Sequence, residues 1–141
     1  MSNTKTMLAA LALGAAVAFA GPAFAEKMKA TLDGASEVPA NTSAGKGTAD
    51  IDYDAATKKL TWKLTYSGLS GPATAAHFHG PAEAGKNAGV KVPIPNATAS
   101  PAEGSATLTD AQAADLAAGK YYVNVHTAAN PGGEIRGQVT K

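Results

Sequence analysis

The sequence predicts an all-β domain, an antiparallel β-sandwich of the Greek-key or immunoglobulin-like kind with one short crossover helix. Apolar and polar side chains alternate through residues 60–66, which is typical of a strand with one buried and one solvated face. Short segments of this kind recur along the chain between Gly, Pro and Asn turn signals. One stretch alone, residues 109–118, is typical of a helix, so strands must supply most of the core.

The elements follow in order from their local signals. Trp62, in the clearest strand, is the one tryptophan of the chain and is predicted to anchor the core. Thr109 and Gln112 have the spacing of a helix capping box, and Gly119 fits the end of that helix. The segment 90–95 contains two prolines, so we expect it at a sheet edge or in a crossover. The other predicted strands lie in residues 28–32, 48–53, 75–81, 104–108, 120–127 and 134–140.

The first 25 residues are predicted to be a secretory signal peptide. Lys5 precedes an apolar run over residues 7–20, Gly21-Pro22 interrupts it, and Ala23-Phe24-Ala25 has the small-x-small form of a cleavage site. The run is shorter than the ~20 residues that span a bilayer, which argues against a membrane anchor. We expect a mature domain of residues 26–141, periplasmic or secreted, with no transmembrane segment after cleavage.

Charge and composition exclude several classes of function. Without Lys5, the 12 basic residues become 11 and equal the 11 acidic ones, so the mature chain has no net charge. A basic nucleic-acid-binding surface is therefore not predicted. The chain has no cysteine, which excludes a thiolate zinc site, a blue-copper site and a cysteine nucleophile.

The three histidines are the strongest candidates for a functional site. His77 and His79 are separated by one residue, so on a strand they share a face with Cα atoms roughly 6.5–7 Å apart. Two imidazoles at that separation can reach one metal ion, and His126 could join them if its strand packs nearby. Three neutral imidazoles without thiolate suit copper or zinc. The alternative is a structural role in which the rings hold the 80–89 loop by hydrogen bonds.

Four other polar residues lie near these histidines in the sequence. Asn124 shares a face with His126 by alternation and is a candidate hydrogen-bonding partner of the site. Glu83 could supply a carboxylate, although a solvated loop residue is the simpler interpretation. Arg136 and Glu134 are expected on one strand face as a surface ion pair, and Arg136 is alternatively a possible anion guide beside the metal.

Three motifs in order resemble those of the CHRD domain, the module named for chordin. The segment 32–39 resembles the opening of that domain and 76–82 resembles its central histidine motif. The segments 121–127 and 131–138 resemble its closing signature. The resemblance covers residues 26–141 and implies an exported single-domain protein, since bacterial members of the family are of that kind and have a poorly defined function.

The family's fold is thought to resemble the Greek-key sandwich of Cu/Zn superoxide dismutases. Those enzymes also carry a His-x-His strand, a late histidine and an arginine near the C-terminus, roles that would fall here on His77 and His79, His126 and Arg136. The chain departs from the enzyme because it has no zinc-binding loop, no cysteine pair and no fourth histidine.

Three hypotheses for function follow. The first is an exported protein that binds one copper or zinc ion through the three histidines. The alternative is a structural or protein-interaction sandwich without metal, and the second alternative is a redox enzyme similar to superoxide dismutase. Metal stoichiometry of the native protein discriminates the first hypothesis from the interaction module.

Overall fold

The computed structural model describes Gly14 and residues 25–141 of the chain. Apart from Gly14 and Ala25, the predicted signal peptide, residues 1–25, lies outside the described residues. No helix in the described part is long and apolar enough to cross a membrane. The elements are β1 (Glu26–Asp33), β2 (Lys46–Asp54), β3 (Lys59–Ser67), β4 (Ala73–His79), β5 (Val90–Pro93), β6 (Ala102–Thr107), α1 (Asp110–Ala117), β7 (Tyr122–Thr127) and β8 (Ile135–Gln138).

Strands β1, β2 and β3 form an antiparallel meander built on the alternation of the sequence. In β3, Leu60, Trp62 and Leu64 are buried, while Thr61 and Lys63 are exposed. The predicted core role of Trp62 is confirmed, since its side chain is 3% exposed. Period-two burial of this kind continues in β1 and β2, so one face of the meander lies in the core and the other in solvent.

All eight strands belong to one antiparallel sheet in the order β5-β4-β7-β8-β1-β2-β3-β6. The all-β, antiparallel prediction with one short helix is confirmed. The predicted sandwich differs in one respect, because β1 pairs with both β2 and β8 and joins the strands into one continuous sheet. That join is short and consists of the pair Asp33 and Arg136 and a bridge between Lys29 and Thr140.

The sheet curls until it nearly closes around a single core. Trp62 in β3 and Phe78 in β4 are far apart in strand order, yet their rings meet edge to face with centroids 5.2 Å apart. We call β1, β2, β3 and β6 the first half and β5, β4, β7 and β8 the second half. The segment 90–95 contributes β5, which lies at the edge of the sheet as its prolines predict.

The helix α1 connects β6, at one edge of the sheet, with β7 inside the second half. Its capping box is confirmed: the Gln112 amide donates to the Thr109 hydroxyl oxygen, and the Gln112 side chain accepts from the Thr109 amide. Gly119 ends the helix with φ +74°, a conformation that glycine adopts without strain. Leu116 is its buried residue and packs into the core.

The second half departs from simple alternation. The side chains of β7 and β8 are buried on both faces of the sheet, with His126 and Gln138 as the partly exposed members. The face opposite the core carries polar side chains and is covered by the loops of residues 34–45 and 80–89. We call it the outer face of the second half, and it consists of His77, His79, Tyr122, Asn124, His126, Arg136 and Gln138.

Candidate metal centre

Neighbouring strands β4 and β7 bring the three histidines together. His77 and His79 project from the same face of β4, because Phe78 between them is in the core. In the register of the two strands, His126 lies opposite Ala75, diagonally across from His77. The sequence therefore predicted the partnership of His77 and His79, and the pairing of β4 with β7 adds His126.

One ligand nitrogen from each histidine lies within 4.8 Å of the others. His77 and His126 are closest, with Nδ1 and Nε2 3.0 Å apart. Two nitrogens bound to one tetrahedral ion at ~2.0–2.1 Å are roughly 3.3–3.5 Å apart, so small ring rotations would gather all three. Among the described residues, this is the one group of three histidine, cysteine or acidic side chains that could hold a metal ion.

Backbone carbonyls fix the rings of two of the histidines. His79 donates from Nδ1 to the Ala88 carbonyl oxygen at 2.9 Å, and His126 donates from Nδ1 to the Pro131 carbonyl oxygen at the same distance. A carbonyl only accepts, so in each neutral ring the lone pair must be on Nε2. Metal-binding histidines are usually oriented in this way by a partner on the second ring nitrogen.

The buried Nε2 atom of His79 has no hydrogen-bond partner among the described residues. Since Nδ1 donates its proton to the Ala88 carbonyl, Nε2 carries the lone pair of the ring, and that lone pair is buried. A bound cation would satisfy it. The residues present thus fit a metal ion, and the ligand atoms that the geometry favours are Nδ1 of His77 and Nε2 of His79 and His126.

Electrostatics keep the rings of His77 and His79 in the form that binds metals. Burial lowers the pKa of His77, and the nearby His126 and His79 rings lower it further. Burial also lowers the pKa of His79, against the opposing effects of Ala88 and Asn124. Both imidazoles are therefore neutral at pH 7, and neutral imidazole is the metal-binding form.

Tyr122 packs against the His79 ring, and Arg136 packs against Tyr122. The Tyr122 ring stacks on His79 with centroids 4.8 Å apart and an interplanar angle of 4°. The Arg136 guanidinium carbon lies 3.5 Å from the centre of the same Tyr122 ring. Arg136 donates to the Asn87 side chain at 2.8 Å and to the Lys86 carbonyl oxygen. These contacts tie the 80–89 loop to the outer face and leave Arg136 2% exposed.

The expected surface ion pair of Glu134 with Arg136 is wrong. Both side chains are buried, and Glu134 precedes β8, so the two residues do not project together from one strand. The Glu134 carboxylate instead accepts hydrogen bonds from Ser43, Ser70, Thr127 and Asn130. Burial raises its pKa, but these hydrogen bonds outweigh burial and lower the pKa to about 2.

Glu83 stays in the exposed part of the 80–89 loop and is not in the histidine cluster. Asn124 is 3% exposed and lies opposite His77 on one side and Arg136 on the other. It thus borders the site as the alternation of β7 predicts.

Glu37 is the residue of this region to which sequence reasoning gave no role. Its side chain comes from the loop after β1, is 6% exposed and lies near Arg136 and Asn124. Burial raises the pKa of its carboxyl to about 7, although Arg136 acts to lower it. The one local signal was Gly132-Gly133 beside the β7 strand, since a Cβ on Gly133 would lie 2.4 Å from Glu37 Oε1.

Comparisons with known proteins agree with the three motifs. The family model described as the CHRD domain matches residues 28–139, which includes every strand from β2 to β8, most of β1, and the three histidines. No curated protein and no solved structure gives a significant match. The match covers well over half of the chain, and the chain therefore belongs to the CHRD domain family.

Proposed function

We propose that this CHRD protein binds one transition-metal ion, copper or zinc, through His77, His79 and His126. The convergence of three imidazoles with one buried, unpartnered Nε2 supports the proposal. Nitrogen ligands without thiolate favour copper and zinc over the hard cations, which prefer oxygen. The ion would supply Lewis acidity or, as copper, electron transfer.

We further propose that the protein acts outside the cytoplasm, in the periplasm or as a secreted protein, as a metal carrier or buffer. The apolar run over residues 7–20 and the Ala23-Phe24-Ala25 site support export. A carrier needs ligands that exchange their ion, and His77 and His126 are partly exposed. Intact mass of the exported protein should correspond to a chain that begins at Glu26.

Metal stoichiometry tests the proposal directly. Protein purified without a histidine tag should contain about one copper or zinc per chain by elemental mass spectrometry, as a single three-histidine site requires. His77→Ala and His126→Ala should each abolish tight binding while far-UV circular dichroism stays unchanged. Thr74→Ala is a matched control, because Thr74 is exposed on the same strand as His77.

The interaction module is the alternative, and the same samples decide between the two. Wild-type protein that takes up no copper or zinc at stoichiometric concentration, with unchanged folding of both histidine variants, would contradict metal binding. The sheet and its covering loops would then serve as a surface for another protein. Its partner would be sought on the exposed parts of the 80–89 loop, which neighbours the histidines.

Dismutase-like catalysis is the remaining hypothesis, favoured by the His-x-His strand with a third histidine. An anion guide must be reachable, and Arg136 is buried and donates to Asn87 and Lys86. We therefore propose metal binding without turnover as the main function. Copper-loaded protein that removes superoxide faster than equal free copper, with a slower Arg136→Glu variant at low ionic strength, would favour the enzyme.

A further inference from the structure

Asn124 occupies the centre of the outer face of the second half. It pairs with His77 across β4 and with Arg136 across β8, and its side chain is 3% exposed. Its Oδ1 atom is buried and has no hydrogen-bond partner among residues 25–141. A buried amide oxygen left in this state is costly, so its surroundings should indicate what it faces.

The amide nitrogen of Asn124 is directed at the turn that follows β7. Nδ2 contacts the Gly132 carbonyl oxygen at 3.5 Å. It also lies 2.6 Å from the position of a Cβ on Gly133, and Glu37 Oε1 lies 2.4 Å from that same position. The Asn124 side chain lowers the pKa of Glu37, as a donor to a carboxylate does, against the larger effect of burial. The contacts with Glu37 and Gly132 therefore identify this end of the Asn124 amide as the nitrogen.

The amide oxygen is the unpartnered end of a side chain that borders the histidines. In the register of β4 and β7, Asn124 lies opposite His77, and His79 is the next residue of β4 that projects from the same face. Because Nδ1 of His79 donates its proton to Ala88, the ring nitrogen that remains free is Nε2 with its lone pair. No hydrogen bond joins Nε2 to Oδ1, and both atoms are unpartnered.

Two buried lone pairs on neighbouring residues of one sheet face are costly, and a cation bound by both would satisfy them. We propose that Asn124 Oδ1 is a fourth donor to the metal ion held by the three histidines, and that Glu37 positions the amide for this role. The inference rests on the proposed function, since it needs a metal at that centre. It replaces the open fourth position of a three-histidine site with a weak protein ligand.

An amide oxygen suits this position chemically. Oxygen donors bind zinc at ~2.0–2.2 Å, close to the distance of histidine nitrogens. In copper sites, weak axial ligands of the amide or carbonyl kind tune the ion without holding it tightly. A neutral ligand also keeps the charge of the site at that of the ion. Exogenous anions would then have to displace Asn124 before they reach the metal.

Cobalt(II) is the probe for the experiment, because its visible spectrum responds to the ligand set. The variants are Asn124→Leu, which fills the space without a donor atom, and Asn124→Asp, which keeps an oxygen there. Leu should weaken cobalt binding about tenfold and should let azide bind at lower concentration than in wild type. Asp should keep tight binding, shift the visible bands and resist azide. Thr74→Ala serves as the control, because Thr74 is exposed on the strand that carries His77 and His79.

Glu37 is tested as a positioning residue by a double-mutant cycle. Glu37→Leu should weaken cobalt binding less than Asn124→Leu and should also ease azide binding. The double variant should bind no more weakly than Asn124→Leu alone, because Glu37 acts through Asn124. Additive losses would contradict the positioning role, since they would mean that Glu37 affects the metal by another route.

The outcomes separate this inference from the proposed function. Wild-type protein that fails to bind cobalt, copper or zinc removes both. Wild-type binding that His77→Ala abolishes, with Asn124→Leu and Asn124→Asp unchanged in affinity, visible spectrum and azide response, removes the fourth ligand and leaves the three-histidine site. If Asn124→Leu fails to fold, Asn124→Asp alone decides, because a carboxylate bound to cobalt must alter the spectrum.

Discussion

The two halves of the sheet have strands of the same kind, but they use their outer faces differently. In the first half, Thr61 and Lys63 stand in solvent behind a buried Trp62, so one side of each strand carries the packing energy. In the second half, His79 and Arg136 are buried on the side away from the core because loops cover them. The outer face of the first half is solvated, whereas the outer face of the second half is a buried polar layer.

That difference decides where chemistry can occur. Buried polar groups interact more strongly than exposed ones, and they are costly when unpartnered. Six buried polar side-chain atoms in the described part lack a partner, and four of them belong to the second half or to the loop above it. These four are Glu37 Oε1, His79 Nε2, Asn124 Oδ1 and Gln138 Oε1. Loops that cover a sheet face without satisfying every polar group beneath them therefore leave lone pairs that an ion could satisfy.

Two carboxyl groups in this covered region behave in opposite ways. Glu134 accepts hydrogen bonds from four residues, and its pKa falls to about 2. Glu37 is buried with an unpartnered oxygen, and its pKa rises to about 7. The first carboxylate holds three chain segments together around residues 43, 70 and 127–130. The second remains poorly satisfied next to Asn124, which borders the histidine cluster.

The largest expected effect concerns the core packing of Trp62 in the first half. Trp62→Ala should lower the free energy of unfolding by about 3–5 kcal/mol, because it removes a large ring that packs on Phe78. Urea denaturation followed by circular dichroism measures the change. Thr61→Ala, one residue away on the solvated face, should stay within about 0.5 kcal/mol of wild type. Equal losses for the two variants would contradict the one-sided packing of this half.

The next largest expected effect concerns Glu134, whose carboxylate accepts hydrogen bonds from four residues. Glu134→Gln should cost about 3 kcal/mol, since an amide cannot accept all the hydrogen bonds from Ser43, Ser70 and Thr127 and leaves buried donors unpaired. The same denaturation experiment measures it. Glu103→Gln, at an exposed glutamate of β6, is the control and should change little.

Acid should reproduce the effect of that variant. The folded-state pKa of Glu134 is about 2, below its ordinary 4.5, so its stabilisation is complete above pH 4.5 and is lost as pH falls toward 2. Wild type should therefore lose more stability than Glu134→Gln between these pH values. Parallel pH profiles of the two proteins would show that the carboxylate is not held as the structure has it.

The fold was predictable to the extent that its signals are local. Alternation in residues 60–66 and the capping box at Thr109 each depend on neighbours in sequence, and both are confirmed. The joining of β1 to β8 depends on residues about a hundred positions apart, and no local pattern encodes it. For that reason the sequence predicted the strands but not their union into one sheet.

The site shows the same division. His77 and His79 share a face by the period of a strand, whereas the approach of His126 depends on which strand pairs with β4. The surface pair of Glu134 and Arg136 was wrong because loops distant in sequence cover both residues. Glu37 was missed for the same reason, since nothing in its own segment indicates that a carboxyl will be buried against Asn124.

A smaller effect sharpens the contrast between the two carboxyls. The folded-state pKa of Glu37 is about 7, above its ordinary 4.5, so the folded protein binds more protons than the unfolded one between these values. Stability from this group is full below about pH 4.5 and is lost as pH rises through 7. In metal-free protein, Glu37→Gln should therefore become more stable relative to wild type by about 2 kcal/mol between pH 4.5 and 8.

The difference between the two proteins is the quantity to measure, because other groups titrate in the same range. His77 and His79 have lowered pKa values, and they make stability rise with pH near 6.5, opposite to Glu37. Both proteins share this contribution, so it cancels in the comparison. A pH-independent difference would mean that Glu37 is not buried as a neutral acid.

The smallest expected effect lies in the connection between the halves. Thr109→Ala removes the hydroxyl that accepts from the Gln112 amide, and it should cost about 1 kcal/mol. Thr109→Ser keeps the hydroxyl and should restore most of that stability. Because α1 contacts the core through Leu116 and lies apart from the histidines, metal affinity should be equal in all three proteins. In Thr109→Ala, amide hydrogen exchange should become faster in α1 alone. Faster exchange in β4 or β7 would show that the helix also stabilises the second half.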